Sequence, residues 1–313
     1  MKPANTVDRA FSCRRTVFTV ASFLMVAIVC ILASMNEIQL RSLVDISRSS
    51  FVFLRGESSK PPALRVLVGI ITKADFYRRR DLLRLVYGLQ SPVKNAQVDV
   101  RFVLCSLQKE DQKVLVALEI MRYNDIIILN CTENMNNGKT YTYFSSLPEI
   151  LDVKEGEDRP YDYVMKADDD AYLRLDQLVK SLIELPREDL YYGFVIPCRE
   201  MNPEGRYMSG MGYTLSWDLV KWIATSEVAR NRITGSEDRL VGEWLQKGSR
   251  GKNRYNAKPA MYNYPLDSDA CSHQFVPNTI AVHRLKDQTK WVRTLQYFNV
   301  TRGLKPSKLY HIG

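Results

Sequence analysis

The chain has 313 residues, 25% of them charged and 45% in the hydrophobic class, with a formal net charge of +9. These proportions describe a well-cored globular body and exclude a disordered chain, a repeat array or a fibrous protein. The basic balance favours an anionic partner such as a phosphate-bearing ligand or a membrane surface, and with no zinc-finger or RNP-type pattern present, nucleic acid is set aside.

The first element in chain order is apolar. Thr16 to Met35 carries no charged residue and is rich in Val, Ile, Leu, Phe and Ala. About twenty such residues span a bilayer as a helix, whereas a cleaved signal has an apolar core of about 7–15 residues and a small-x-small site. Ile31 to Met35 is a poor version of that site. Lys2, Arg9, Arg14 and Arg15 precede the run, and only Arg41 and Arg48 follow at a comparable distance, which places the N-terminus in the cytosol. The expected organisation is a cytosolic tail (1–15), a transmembrane signal anchor (16–35), a stem (36–62) ending in Pro61-Pro62, and a luminal catalytic domain (63–313). Cysteine usage agrees with a luminal body: Cys105, Cys131, Cys198 and Cys271 can form two disulfides in three connectivities. Asn130 and Asn299 head glycosylation sequons, the first blocked if Cys131 is bridged.

Within the body, Arg65 to Ile71 reads as a buried strand. An Arg-rich loop follows, then a helix with an apolar stripe of Leu82, Leu85, Val86 and Leu89. Val98 to Leu104 reads as a strand, Lys109 to Tyr123 as a helix, Asp125 to Leu129 as a strand, and Tyr161 to Met165 as a strand ending at the acidic triplet Asp168-Asp169-Asp170. Leu175, Leu178, Val179 and Leu182 give a helical stripe, and Tyr191 to Pro197 a further strand. Ser209 to Ser216 is a Gly-containing segment running into a helix, Trp217 to Thr225. Another helix starts at Ser236 with Leu240, Val241, Trp244 and Leu245 on one face, and the last fifty residues read as loop-rich. Strands alternating with helices predict an α/β layered fold, in which ligands bind beyond the carboxyl ends of the strands.

The triplet sits at such an end. Three adjacent carboxylates repel one another and, unless solvated, need a cation. Asp168 and Asp170 flank a central residue and can face one divalent ion; hard oxygen ligands suit Mg²⁺ or Mn²⁺, which would bridge the phosphates of a nucleotide. Arg80 and Arg84, four apart, either meet a diphosphate with planar forks or form a solvated basic face. Gly210 and Gly212 let backbone approach a sugar or acceptor closely. Tyr213 and Trp217 offer flat faces to a sugar, although such aromatics are more often packed in a core.

The string Tyr161-Asp-Tyr-Val-Met-Lys-Ala-Asp-Asp-Asp-Ala-Tyr-Leu173 resembles the metal-binding segment of the β-1,3-galactosyltransferase family, whose relatives include β-1,3-N-acetylglucosaminyltransferases and Fringe. Ser209-Gly-Met-Gly-Tyr-Thr-Leu-Ser216 looks like its Gly-x-Gly-Tyr-x-x-Ser segment, Ser236-Glu-Asp-Arg-Leu-Val-Gly242 its Glu-Asp-x-x-x-Gly motif, and Arg79-Arg80-Asp-Leu-Leu-Arg84 its Arg-Arg-x-x-aliphatic-Arg segment. Each motif alone is weak; four in order are specific. The resemblance implies the glycosyltransferase-A type of α/β fold, a Rossmann-like mixed sheet flanked by helices, and inverting chemistry. It implies that UDP-galactose or UDP-N-acetylglucosamine gives its sugar to a hydroxyl of a glycan or glycoprotein acceptor, in β-1,3 linkage, at a Golgi membrane. A metal-neutralised nucleoside diphosphate leaves readily, so a single general base suffices, unlike glycoside hydrolysis with its two carboxylates.

By the same resemblance Asp238 is the base, although an Asp in a first helical turn ordinarily caps amides. Glu237 orients the acceptor or a neighbouring loop, and His283 of Ala281-Val-His-Arg284 is a third metal ligand beside Asp168 and Asp170. An imidazole in that set favours Mn²⁺ over Mg²⁺. Asp168 and Asp169 are expected at the nucleotide-sugar, with Asp169 facing the sugar or supporting the turn. Two departures stand out: Val86-Tyr87 where the family often has Thr-Trp, and Asn130 to Lys139, which matches its acidic-aromatic stretch only loosely. The form Glu133-Asn-Met-Asn-Asn-Gly-Lys-Thr140 looks most like the plant branch. A catalytically silent Golgi binding protein of the same fold is the alternative, and the intact triplet and Glu237-Asp238 argue against it.

Overall fold

The computed structural model describes residues 62–152 and 159–310. The expected tail and membrane span, and the stem up to residue 61, lie outside the described residues. Among those described, no helix is long and apolar enough to cross a membrane.

The first half of the body alternates strand and helix: β1 (Leu64–Ile71), α1 (Tyr77–Gly88), β2 (Ala96–Leu104), α2 (Glu110–Tyr123), β3 (Ile126–Ile128), α3 (Lys139–Ile150) and β4 (Tyr163–Asp168). There follow β5 (Tyr172–Leu173), α4 (Leu175–Leu182), β6 (Leu190–Ile196), β7 (Tyr207–Ser216), α5 (Trp217–Thr225), α6 (Glu227–Arg230), α7 (Glu237–Lys247), β8 (Asn253–Asn256), β9 (Met261–Asn263), β10 (Ala281–His283) and α8 (Gln288–Tyr297). Seven strands form one sheet in the order β3-β2-β1-β4-β7-β6-β8. β1 to β4 run parallel, β7 is antiparallel to both β4 and β6, and β8 is parallel to β6. This is the α/β layered fold that the alternation predicts, with the mixed sheet flanked by helices that the resemblance implies.

Strand parity explains the two cores. In β1, Val66, Val68 and Ile70 face one cluster, and Leu67 and Ile71 face the other. A strand buried on both faces must be apolar at every position, and the Val-Leu-Val-Gly-Ile-Ile run meets that demand. Gly69 is required within it, because a Cβ there would lie 2.2 Å from the Tyr143 hydroxyl. The first cluster includes residues of α1 and α4, and the second those of α3, α5 and α7.

One expectation needs correction. The buried face of α1 is Arg80, Leu83 and Val86, while Leu85 and Leu89 are 66% and 65% exposed. The helix is turned from the all-apolar reading because Arg80 points inward to a buried carboxylate. The C-terminal fifty residues are loop-rich as expected, with β10 and α8 the regular elements among those described; β9, just before them, and β10 join β5 in a three-stranded sheet. Of the three connectivities, the disulfides are Cys105–Cys131 and Cys198–Cys271. Cys131 is thus bridged, and Asn130 and Asn299 are both exposed.

Candidate active site

The site begins with the alternation of β4. Tyr163, Met165 and Ala167 point into the first core, which leaves Lys166 and Asp168 together on the opposite face. Lys166 is fully buried, and its Nζ donates to Asp168 Oδ1 (2.7 Å), to the Gly210 carbonyl (3.0 Å) and to Glu237 Oε1. Burial works against its charge, yet Asp168 and Glu237 outweigh it and hold the amine above its ordinary range.

The ladder stops at Asp168, and the next two carboxylates lie in a turn. β5 pairs antiparallel with β10, and the Leu285 N–H donates to the Asp170 carbonyl (2.9 Å), so the return of the chain delivers His283 to the triplet. His283 Nε2 lies 3.1 Å from Asp170 Oδ1 and 3.4 Å from Asp168 Oδ2. Its Nδ1 is 2.8 Å from Asn263 Oδ1. Burial would raise the Asp168 pKa, but Lys166 and His283 pull it down to about 2. Burial would lower that of His283, and Asp168 and Asp170 raise it further than burial lowers it. One ligand atom from each of Asp168, Asp170 and His283 falls within 4.8 Å of the others. Two carboxylates and an imidazole closing on one point make a donor set that fits a divalent first-row ion.

Asp169 has a separate role. Thr72 Oγ1 donates to its Oδ2 and Arg79 Nη1 to its Oδ1, both at 2.6 Å. With both oxygens engaged, the middle carboxylate fastens the turn to the end of β1 and to α1. Lys139, buried at the start of α3, donates to the Thr72 carbonyl (2.5 Å) and pairs with Glu133.

β7 carries Gly210 to the edge of the cluster. A Cβ at this position would stand 2.9 Å from Glu237 Oε1 and 3.1 Å from Lys166 Nζ, so only glycine leaves the ion cluster its room. The Gly210 N–H donates to Asp238 Oδ2 (3.3 Å) while its carbonyl accepts from Lys166. The backbone of this one residue therefore sets Asp238 beside the Lys166–Asp168 pair. Asp238 Oδ1 accepts from the Ser236 hydroxyl and the Arg239 N–H, both at 2.8 Å, and the residue is partly exposed. Glu237 is buried; Thr140 (3.0 Å) and Tyr213 (3.1 Å) donate to its Oε2, and burial raises its pKa.

The structure brings Asp168, Asp170, His283, Gly210, Glu237 and Asp238 together and places other expected residues elsewhere. Arg80 is fully buried, its Nε and Nη2 forked onto Glu119 at 2.9 and 2.6 Å. Arg84 forks onto Asp125 at 2.8 and 2.9 Å and reaches Glu119 at 2.7 Å. Both guanidiniums are saturated by α2 and the residue that follows its C-cap, and neither is available to a diphosphate. Arg79 is the arginine of this segment that reaches the triplet. Removing Arg80 leaves Glu119 buried with half its partners, so Arg80→Ala is expected to cost about 3–5 kcal/mol of stability, read as a lowered Tm with an unchanged donor KM. Gly212 serves packing, since a Cβ there would meet Met165 Cε at 2.4 Å; Trp217 is buried in the core, and Tyr213 is buried with its hydroxyl on Glu237, so neither ring is open to a sugar. Sequence reasoning missed Thr72, Arg79 and Lys166 as site residues. Lys166, two before Asp168, could have been found from strand parity, and Arg79 from the triple-arginine run. Thr72 carries no local signal.

A mixed sheet that ends a central strand in carboxylates, closes them on an imidazole and sets a further aspartate beside Gly210 gives an α/β fold with a candidate divalent-metal site. The chain belongs to the galactosyltransferase family, whose model matches residues 78–249, and it is a glycosyltransferase. It is 26% identical over 272 residues to beta-1,3-galactosyltransferase pvg3 of Schizosaccharomyces pombe, covering 71% of each chain. It is 22% identical over 237 residues to the hydroxyproline O-galactosyltransferase GALT2 of Arabidopsis thaliana, covering 70% of this chain and a third (33%) of that relative. Among solved structures, the galactosyltransferase LgtC with donor and acceptor sugar analogues superposes with a TM-score of 0.43 at 13% identity, over 78% of this chain and 97% of that one.

Proposed function

We propose that the chain is an inverting hexosyltransferase of the glycosyltransferase-A type. It moves galactose, or as a second donor N-acetylglucosamine, from a UDP-sugar to a hydroxyl of a glycan acceptor in β-1,3 linkage, in protein glycosylation. The observation that carries this reading is the closure of Asp168, Asp170 and His283 on one point, with Asp238 joined to the same cluster through Gly210. These three side chains would hold the ion, Mn²⁺ by preference for a set containing imidazole, or Mg²⁺. When bound, it neutralises the diphosphate leaving group.

The chain's own groups do the rest. Asp238 Oδ1 is occupied by two donors, whereas Oδ2 holds one long hydrogen bond and is the atom that takes the acceptor's proton. Glu237 keeps Lys166 charged and the Gly210 peptide fixed, which positions Asp238. Asp168 stays at the nucleotide-sugar, and Arg79 takes the donor-side role first expected of Arg80 and Arg84. The Glu133 to Thr140 segment supports the plant-type branch. Residues 16–35 as a type II anchor place the body in the Golgi lumen, a reading that the two disulfides support. The test is UDP release by the full-length chain with Mn²⁺, a panel of UDP-hexoses and a panel of glycan acceptors. Turnover is expected with UDP-galactose first and UDP-N-acetylglucosamine second. No release above background from any UDP-hexose would overturn the proposal.

A further inference from the structure

We infer that Asn263 and Asp269 are positioning residues that lock His283 into the one tautomer able to ligate a metal. The inference rests on the reading of His283 as a ligand and adds what prepares it for that role.

β9 and β10 run parallel with Asn263 paired to His283, so the two side chains meet across the ladder. The contact is His283 Nδ1 to Asn263 Oδ1 at 2.8 Å. On its own this distance does not say which atom donates, because an amide can be turned over and an imidazole has two neutral tautomers. Asp269 decides it. Its Oδ2 lies 2.9 Å from Asn263 Nδ2 and 2.9 Å from Arg284 Nη1, and its Oδ1 accepts the Cys271 N–H at 2.9 Å. A carboxylate paired with a guanidinium only accepts. The Asn263 NH₂ must therefore face Asp269, which turns the amide oxygen to His283. That oxygen accepts only, so Nδ1 carries the proton. The lone pair that can bind an ion therefore belongs to Nε2, on the side of Asp168 and Asp170, where a bound ion would replace the proton those carboxylates otherwise hold there.

The frame behind this relay is fixed. Asn263 is 3% exposed, and its N–H donates to the Cys271 carbonyl (3.0 Å), while the Tyr264 N–H donates to the His283 carbonyl (2.8 Å). Cys271 is itself bridged to Cys198. Partners of metal-bound histidines ordinarily set the ring orientation, and losing one typically weakens metal affinity about 10–100-fold.

The experiment uses the full-length chain with ¹⁵N-labelled histidine; its three histidines make the spectrum assignable. The His283 Nδ1–H is expected as a resonance protected from exchange, because its acceptor is the Asn263 oxygen. Asn263→Ala should lose that protection and weaken Mn²⁺ binding, read by electron paramagnetic resonance of free Mn²⁺, about 10–100-fold. Asp269→Ala should do the same, because nothing then fixes which way the Asn263 amide turns. The exchanged pair, Asn263→Asp with Asp269→Asn, rebuilds an acceptor for Nδ1–H and a donor behind it, and should recover both protection and affinity. Asn263→Ala with wild-type protection and affinity would overturn the inference. An exchanged pair no better than Asp269→Ala alone would also overturn it, and this arm decides the matter if Asn263→Ala does not fold. If His283→Ala binds Mn²⁺ as the wild type does, it is the ligand reading that falls, and that result is distinct from either outcome at Asn263.

Discussion

Asp238→Asn should bind metal and donor as the wild type does and lose transfer by about 10²–10⁴-fold, the range a positioned general base contributes. The geometry makes the substitution gentle on structure. An Asn Oδ1 can still accept from the Ser236 hydroxyl and the Arg239 N–H, which preserves the first turn of α7. Its NH₂ would face the Gly210 N–H, but the bond lost there is the longest of the three, at 3.3 Å. What disappears is the basic oxygen. Donor affinity measured calorimetrically with Mn²⁺ should therefore stay flat while single-turnover transfer falls. Transfer at the wild-type rate would leave Asp238 as a helix cap and nothing more.

Asp170→Ala should abolish metal-dependent UDP release, by at least the ~10²–10³-fold seen when one stabiliser of developing charge is deleted. The Asp170 carboxylate is the nearer partner of His283 Nε2, at 3.1 Å. Its backbone carbonyl, which takes the Leu285 N–H, is untouched by the change, so β10 keeps its place. The loss should appear as a raised metal requirement together with a fall in kcat. Unchanged turnover at micromolar Mn²⁺ would remove the triplet from the mechanism.

How much of this was legible in the sequence depends on the range of the signal. Strand and helix alternation is local, and the early strands fall close to the expected β1 to β4. The apolar stripes of α4 and α7 appear as expected, because Leu178 or Trp244 buries for the ordinary reason. α1 differs because Arg80 is buried by a partner 39 residues away, on α2, which no periodicity reveals. α3 was missed: its buried face begins with Lys139 and Thr140, polar residues whose burial depends on the distant partners Thr72 and Glu237 as well as on nearby Glu133. At the site, Asp168, Asp170, Asp238 and His283 were readable through motifs. The separation of duties within the triplet was readable in outline, with Asp169 facing the sugar or supporting the turn, but the choice between these two was not. It follows from Thr72 and Arg79 capturing Asp169 and from β10 returning beside β5, contacts of about a hundred residues' span. Gly210 and Gly212 looked alike in one motif; the fold gives the first to the ion cluster and the second to Met165.

The most direct test of the central claim is UDP release from UDP-galactose by the full-length chain in Mn²⁺, in chelator, and after Mn²⁺ is returned. Release that stops in chelator and recovers on re-addition, in the wild type but in neither Asp170→Ala nor His283→Ala, is the predicted result. Equal release with and without chelator would contradict the account.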